Sequence, residues 1–182
     1  TMQTAELALE SLATLPALTA VASEPRRMQD ALGQALAALS FLRGLAVVDP
    51  GGRVIASTTL GDAESFVDLA QLGPPVAVGR TVQGGLTPGR SLQSVRLGGK
   101  AVAAPAGVAF IPVMHGYKTE AGQVLVLVAL VNPDSLSNFQ HLTLESEIFD
   151  SVVTAYNGQV LATSGAAAAL AGTRVNHIPV FS

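Results

Sequence analysis

The chain has 182 residues, of which 49% are hydrophobic and 13% charged, enough apolar material for a core and too little charge for a disordered segment. Its formal charge of -3, with basic residues scattered along the chain, excludes the concentrated basic surface of a nucleic-acid binder. Cysteine is absent, which excludes disulfide scaffolds and thiolate metal sites.

Residues 2–42 carry leucine and alanine at helical spacing, with Met28, Leu32, Ala35, Leu36 and Leu39 forming one stripe. Pro16 is expected to kink a first helix, and Pro25, after Ser23 and Glu24, to open a second that Gly44 ends. Residues 45–48 and 53–57 read as strands reversing around Asp49, Pro50, Gly51 and Gly52, with the Asp49 carboxylate bonding turn amides. Residues 62–72, with Asp62 ahead of Phe66, Leu69 and Ala70, read as a short helix stopped by Pro74 and Pro75. Strands are predicted over 76–82 and 91–97, separated by a loop containing Gly84, Gly85, Pro88 and Gly89. Residues 108–114 and 123–131 read as a central antiparallel pair joined by the polar stretch 115–122. Asn132, Pro133 and Asp134 break the last strand; a linker helix over 134–144 and a hairpin of 151–155 and 159–163, turned at Asn157 and Gly158, follow.

This order predicts an α+β domain: five antiparallel strands, a long N-terminal helix, and helices on one side of the sheet. Three segments follow from it, a helical stalk over 1–43, a sheet domain over 44–131, and a linker helix with a partial hairpin unit over 132–182. The longest aliphatic run, 124–131, falls far short of the roughly 20 residues that span a bilayer. No basic region followed by an apolar core and a cleavage site opens the chain, so it reads as a soluble segment.

The search for reaction chemistry finds no catalytic residue. His115, His141 and His177 lie far apart with no ligand-spaced partner, so neither a metal nor a cofactor is called for. Ser164 lacks the upstream glycine of a nucleophile elbow, where Ala162 stands instead. Gly98, Gly99 and Lys100 are followed by Ala101 rather than the hydroxyl residue of a phosphate loop. A binding pocket needs less: an apolar hollow and a few oriented polar groups. Arg80, closing a predicted strand after Gly79, is the candidate to hold a carboxylate bidentately, against the plainer reading of a solvated edge arginine. Phe110 and Met114 lie an even number of residues apart on one strand and share a core or pocket face, with Tyr117 just beyond. These four are the candidate ligand-binding residues.

The long leading helix running into LRGLAVVDPGGRVIAST (42–58), the strand FIPVMHG (110–116) and the run QVLVLVALVNPDSL (123–136) resemble the periplasmic PAS-like sensor domains of the PDC or Cache family. The closing VVTAYNGQVLATSG (152–165) is similar to the start of a second, membrane-proximal unit, here reduced or partial. The resemblance implies a distal pocket for a small molecule, a carboxylate if Arg80 serves it. It places the domain in the periplasmic or extracellular part of an inner-membrane protein whose output is a diguanylate cyclase or a histidine kinase. The tyrosine, arginine, tryptophan and aspartate set of the family's amine-binding members is not found, and tryptophan is absent. The segment from Met28 to Leu42, with apolar residues at intervals of three and four along one face, is a candidate homodimer surface. Two other readings stand beside this one: a docking module for a periplasmic binding protein with no ligand of its own, which a filled interior favours, and an enzyme, which a paired nucleophile and base favour.

Overall fold

The reversal at Asp49 is built by its own side chain: Oδ1 accepts from the Gly51 amide at 2.8 Å and from the Arg53 amide at 3.0 Å. The flanking apolar runs thereby pair as β1 (Leu42–Val48) and β2 (Val54–Ser57), with Ala46 opposite Ser57 and an irregularity at Val47/Val48. Gly44, expected as a helix stop, lies inside β1, where its missing side chain leaves room for the Thr58 and Thr59 hydroxyls. The computed structural model of the protein describes residues 2–20, 24–98, 107–135, 152–154, 158–163 and 172–175. It divides into two units, Thr1–Val131 and Asn132–Ser182.

In the first unit the leading helical region is three helices, α1 (Met2–Leu12), α2 (Pro16–Thr19) and α3 (Pro25–Ala38). Pro16 and Pro25 each stand in the first turn of their helix, where a missing amide hydrogen costs nothing, so proline divides the expected long helix instead of kinking it. A short α4 (Leu69–Leu72) is followed by β3 (Thr81–Gln83), β4 (Thr87–Pro88), a 3-10 turn at Leu92–Val95, β5 (Ala109–Lys118) and β6 (Val124–Val131). The antiparallel sheet runs in the order β2-β1-β6-β5-β3, and β4 also pairs with β5. The expected strand over 91–97 is thus the 3-10 turn, while a short strand forms within the expected loop.

Proline in a central strand removes a ladder hydrogen bond, yet Pro112 sits in the middle of β5. Its carbonyl accepts from the Gly84 amide at 2.8 Å, so its nitrogen faces the same edge, in the gap between the end of β3 at Gln83 and the start of β4 at Thr87.

The sheet is buried on both faces. On one, Ala46, Val48, Phe110, Met114, Val126, Val128 and Leu130 pack with Val67, Leu72, Leu92 and Val95 from the connecting segments. The alternating residues face α1, which packs on β5 and β6, and α3, which packs on β1 and β2. Each fully buried large side chain in these layers contributes about 1.5–3 kcal/mol. Met28 and Leu32 are buried on α3 within this same unit.

The second unit is described through β7 (Val152–Thr154) and β8 (Val160–Thr163), an antiparallel pair. Gln159 bridges to Arg174, and Val160 and Val175 are buried. Most of the predicted linker helix, along with Asn157, Ser164, His141 and His177, lies outside the described residues.

Candidate functional site

Beneath α4 the sheet carries an apolar cavity of about 310 Å³, lined by Met114, Val124 and Val126 from β5 and β6, Leu69, Ala70, Gly73, Pro74, Pro75 and Val76 from α4 and its exit, and Pro50 from the hairpin. Pro50, Ala70, Pro74 and Pro75 are exposed, so the mouth opens to solvent. A second hollow of about 260 Å³ shares Pro50, Leu69 and Ala70 and extends past Gly51, Gly52, Val67, Asp68 and Leu97.

Local chemistry holds the α4 wall in place. Asp68 caps the helix, its Oδ1 accepting from the Ala70 amide at 3.1 Å and its Oδ2 from Gln71 Nε2 at 3.0 Å. The Asp68 amide in turn donates to Val95 O at 3.0 Å. Leu72 is fully buried and anchors the short helix in the core. Gly84 lets the end of α4 approach the sheet: a Cβ there would stand 1.7 Å from Leu72 O and 2.7 Å from Pro112 Cγ. At Gly52, with φ +87°, a Cβ would meet Val67 O at 2.2 Å, so glycine is required for the segment before α4 to lie on the hairpin turn.

The four candidate residues do not converge. Met114 lines the cavity, and its Cε lies 3.0 Å from where a Gly73 Cβ would be. Phe110 shares that face but is fully buried in the core behind the cavity. Tyr117 lies on the opposite, helix-facing side of β5, buried, with a hydroxyl that has no hydrogen-bond partner among the described residues; burial pushes its phenol above the ordinary range. Arg80 is exposed on the bend before β3 and lines neither hollow. Its amide donates to Ala77 O at 3.1 Å and its carbonyl accepts from the Gly116 amide at 3.1 Å, so its backbone shapes the bend.

Two further ionisable groups are buried. Asp62 is fully buried; Ser57 Oγ donates to its Oδ2 at 3.2 Å, while Oδ1 has no partner among the described residues. Burial raises its pKa above the ordinary 3.8, opposed first by the Ser57 hydroxyl. His115, on the helix-facing side, has Nδ1 2.8 Å from Thr81 Oγ1, and burial lowers its pKa against the opposing pull of Glu10. Among the described residues no cluster of three or more histidines, cysteines or carboxylates could hold a metal. No described helix is long and apolar enough to cross a membrane.

Sequence reasoning found Met114 but missed the rest of the lining. The signal was present in part: Val124 and Val126 alternate along β6, and the Pro74–Pro75 pair marks the exit of α4.

No protein-family model matches the sequence, and no curated protein does. Solved structures with this fold do. The extracellular domain of rpHK1S-Z16, a candidate histidine kinase, superposes with a TM-score of 0.70 at 14% identity, covering 99% of this chain and 69% of that one. An extracellular ligand-binding receptor from Desulfohalobium retbaense gives 0.70 at 12% identity, and this chain, matched over 100% of its length, spans 31% of the receptor. The ligand-binding domain of the Pseudomonas fluorescens chemoreceptor CtaA, in complex with L-valine, gives 0.59 at 15% identity over 96% of this chain and 71% of that domain. The chain therefore has the fold of extracellular sensor domains.

Proposed function

We propose that the chain is the extracytoplasmic sensing domain of a bacterial transmembrane signalling protein and that a small molecule binds in the cavity beneath α4. The observation that carries this reading is the open 310 Å³ cavity walled by a short helix laid across the sheet, on a fold shared with extracellular domains of kinases and chemoreceptors. Pockets of this size and apolar character are typical of small-molecule sites. A filled interior would favour the alternative docking module, and the cavity weighs against it. We favour a histidine-kinase output over a diguanylate cyclase because a kinase is among the similar folds.

The ligand contacts narrow to Met114 and the α4 wall, while Phe110, packed in the core, and Tyr117 and Arg80 line neither hollow. A homodimer through α3 would have to use Leu36 and Leu39, since Met28 and Leu32 are already buried.

The same two strands that line the cavity carry α1 on their other face. A ligand that prefers one placement of α4 over the sheet would shift the population of sheet and helix arrangements by no more than that preference. Binding alone, without such a difference, transmits nothing.

A thermal-shift screen of the chain against carboxylic acids, amino acids, polyamines, purines, sugars and small neutral organic molecules tests the reading, because a ligand that binds only the folded state raises Tm. The expected result is a dose-dependent rise that Ala70→Trp abolishes, by filling the cavity from an exposed position, and that Arg80→Ala leaves intact. A rise that survives Ala70→Trp would overturn it.

A further inference from the structure

We infer that the ligand is a small, uncharged, apolar molecule, a conclusion that rests on the cavity being the sensory site. Every lining side chain is aliphatic, thioether, proline or glycine, so none supplies a charge, hydroxyl or amide to a ligand. Much of the backbone donor capacity is absent or already used. Pro50, Pro74 and Pro75 have no amide hydrogen. The Ala70 amide already donates to Asp68 Oδ1 at 3.1 Å and the Gly73 amide to Leu69 O at 3.3 Å. The Val126 residue lies within the ladder between β1 and β5.

A carboxylate seated inside, against Met114 and Val126, would give up its hydration and meet no side-chain donor there, and a zwitterionic amino acid held at that depth would strand two charges. Among the described residues, the single ionisable side chain lining either hollow is Asp68. Its charge opposes an anion, and both of its oxygens already accept hydrogen bonds from the chain, Oδ1 from Ala70 N–H and Oδ2 from Gln71 Nε2. Arg80, the guanidinium that would have answered a carboxylate, is exposed and lines neither hollow.

Size narrows the class further. A volume of 310 Å³ equals about ten liquid-water volumes and lies at the small end of ligand pockets, suited to one ring or a short branched chain. Met114 forms the adaptable wall, its flexible thioether able to follow differently shaped apolar ligands. Specificity in such a site comes from excluding charge as much as from shape.

The experiment is a titration of the chain with benzyl alcohol, benzoate, benzylamine and L-phenylalanine, which share a ring and differ in charge, followed by calorimetry and thermal shift. The inference expects benzyl alcohol to bind and raise Tm dose-dependently, the three charged compounds to bind at least about tenfold more weakly, and Ala70→Trp to abolish the response. Val76→Trp serves as a second blocking variant, and circular dichroism confirms that both fold. Binding of a charged compound as tight as that of the alcohol, lost in the blocked variants, would overturn the inference and leave the sensory site standing. Failure of all four to bind, or binding unchanged in both blocked variants, would overturn the site and the inference with it.

Discussion

Gly84→Ala should be the most damaging single-methyl change in the site's scaffold. The added Cβ would stand 1.7 Å from Leu72 O, and the obstacle is backbone, so the carbonyl must retreat by about 1.3 Å to reach even the 3.0 Å limit seen for real Cβ atoms. Leu72 is fully buried at the end of α4, so this retreat unseats a core side chain and lifts the cavity wall. Overpacking of this kind costs about 3 kcal/mol at the upper end of its usual range, or roughly 6–12 °C in Tm for a chain of this size. Urea unfolding followed by circular dichroism should give a lower midpoint at unchanged slope. Gly33→Ala is the control. Gly33 is exposed within α3 and no atom lies within 4 Å of its Cβ position, so the same methyl should stabilise by about 0.5–1 kcal/mol. A Gly84→Ala variant within about 0.5 kcal/mol of the parent would refute the close approach of α4 to the sheet.

Tyr117→Phe removes a buried hydroxyl that has no partner among the described residues, and should leave the urea midpoint unchanged or raise stability by about 1 kcal/mol; a loss of that size would mean that the hydroxyl is bonded. Asp62→Asn should change the pH dependence of stability. Because burial raises the Asp62 pKa above 3.8, its protonated form favours folding below that value and the contribution is lost as pH rises through the folded-state value. The stability of the asparagine variant relative to the parent should therefore increase from pH 4 towards pH 7 in parallel urea titrations, and a flat difference would contradict the burial of that carboxylate. Asp49→Ala removes the acceptor of the Gly51 and Arg53 amides and should lower stability by about 1 kcal/mol in the same assay, the turn amides being free to find water.

The parts of the fold legible in the sequence are those where local pattern and tertiary environment agree. The DPGG reversal between two apolar runs and the aliphatic run 124–131 specify the hairpin and β6 without reference to the rest of the chain. Pro25 marks a helix start as its sequence context implies, whereas Pro16, expected to kink the first helix, opens a helix of its own and divides the leading region into three. In the stretch 62–97 long-range pairing overrides the local pattern. Arg53 bridges Phe66 and Val67 bridges Arg96, which holds 66 and 67 extended and delays the helix until the Asp68 cap. Phe66, expected on the apolar face of that helix, is half exposed in consequence. Leu92 and Val95, three residues apart, are both buried by one 3-10 turn that Ser91 caps through the Gln93 amide.

The site suffered from the same region. Its wall is α4 and its exit, and a helix of four residues leaves almost no periodicity to read. Arg80 has the sequence context of a lone charge closing a strand, but the strand starts one residue later and the bend before it is tied to Gly116, leaving the residue exposed. Met114 was found because strand alternation places it with Phe110, and only the placement of α4 determines which of the two meets the cavity.

The central claim, a sensory cavity that takes an uncharged apolar ligand, is tested most directly at Met114. The chain has three methionines, Met2, Met28 and Met114, so labelling their methyl carbons with carbon-13 gives three signals, with Met114→Leu assigning the one in the cavity. On titration with benzyl alcohol the account predicts a saturable shift of the Met114 methyl that is far larger than that of Met28, which is buried on α3 at the opposite face of the sheet. A Met114 signal unmoved at saturating ligand, or one moved equally by benzoate, would contradict it.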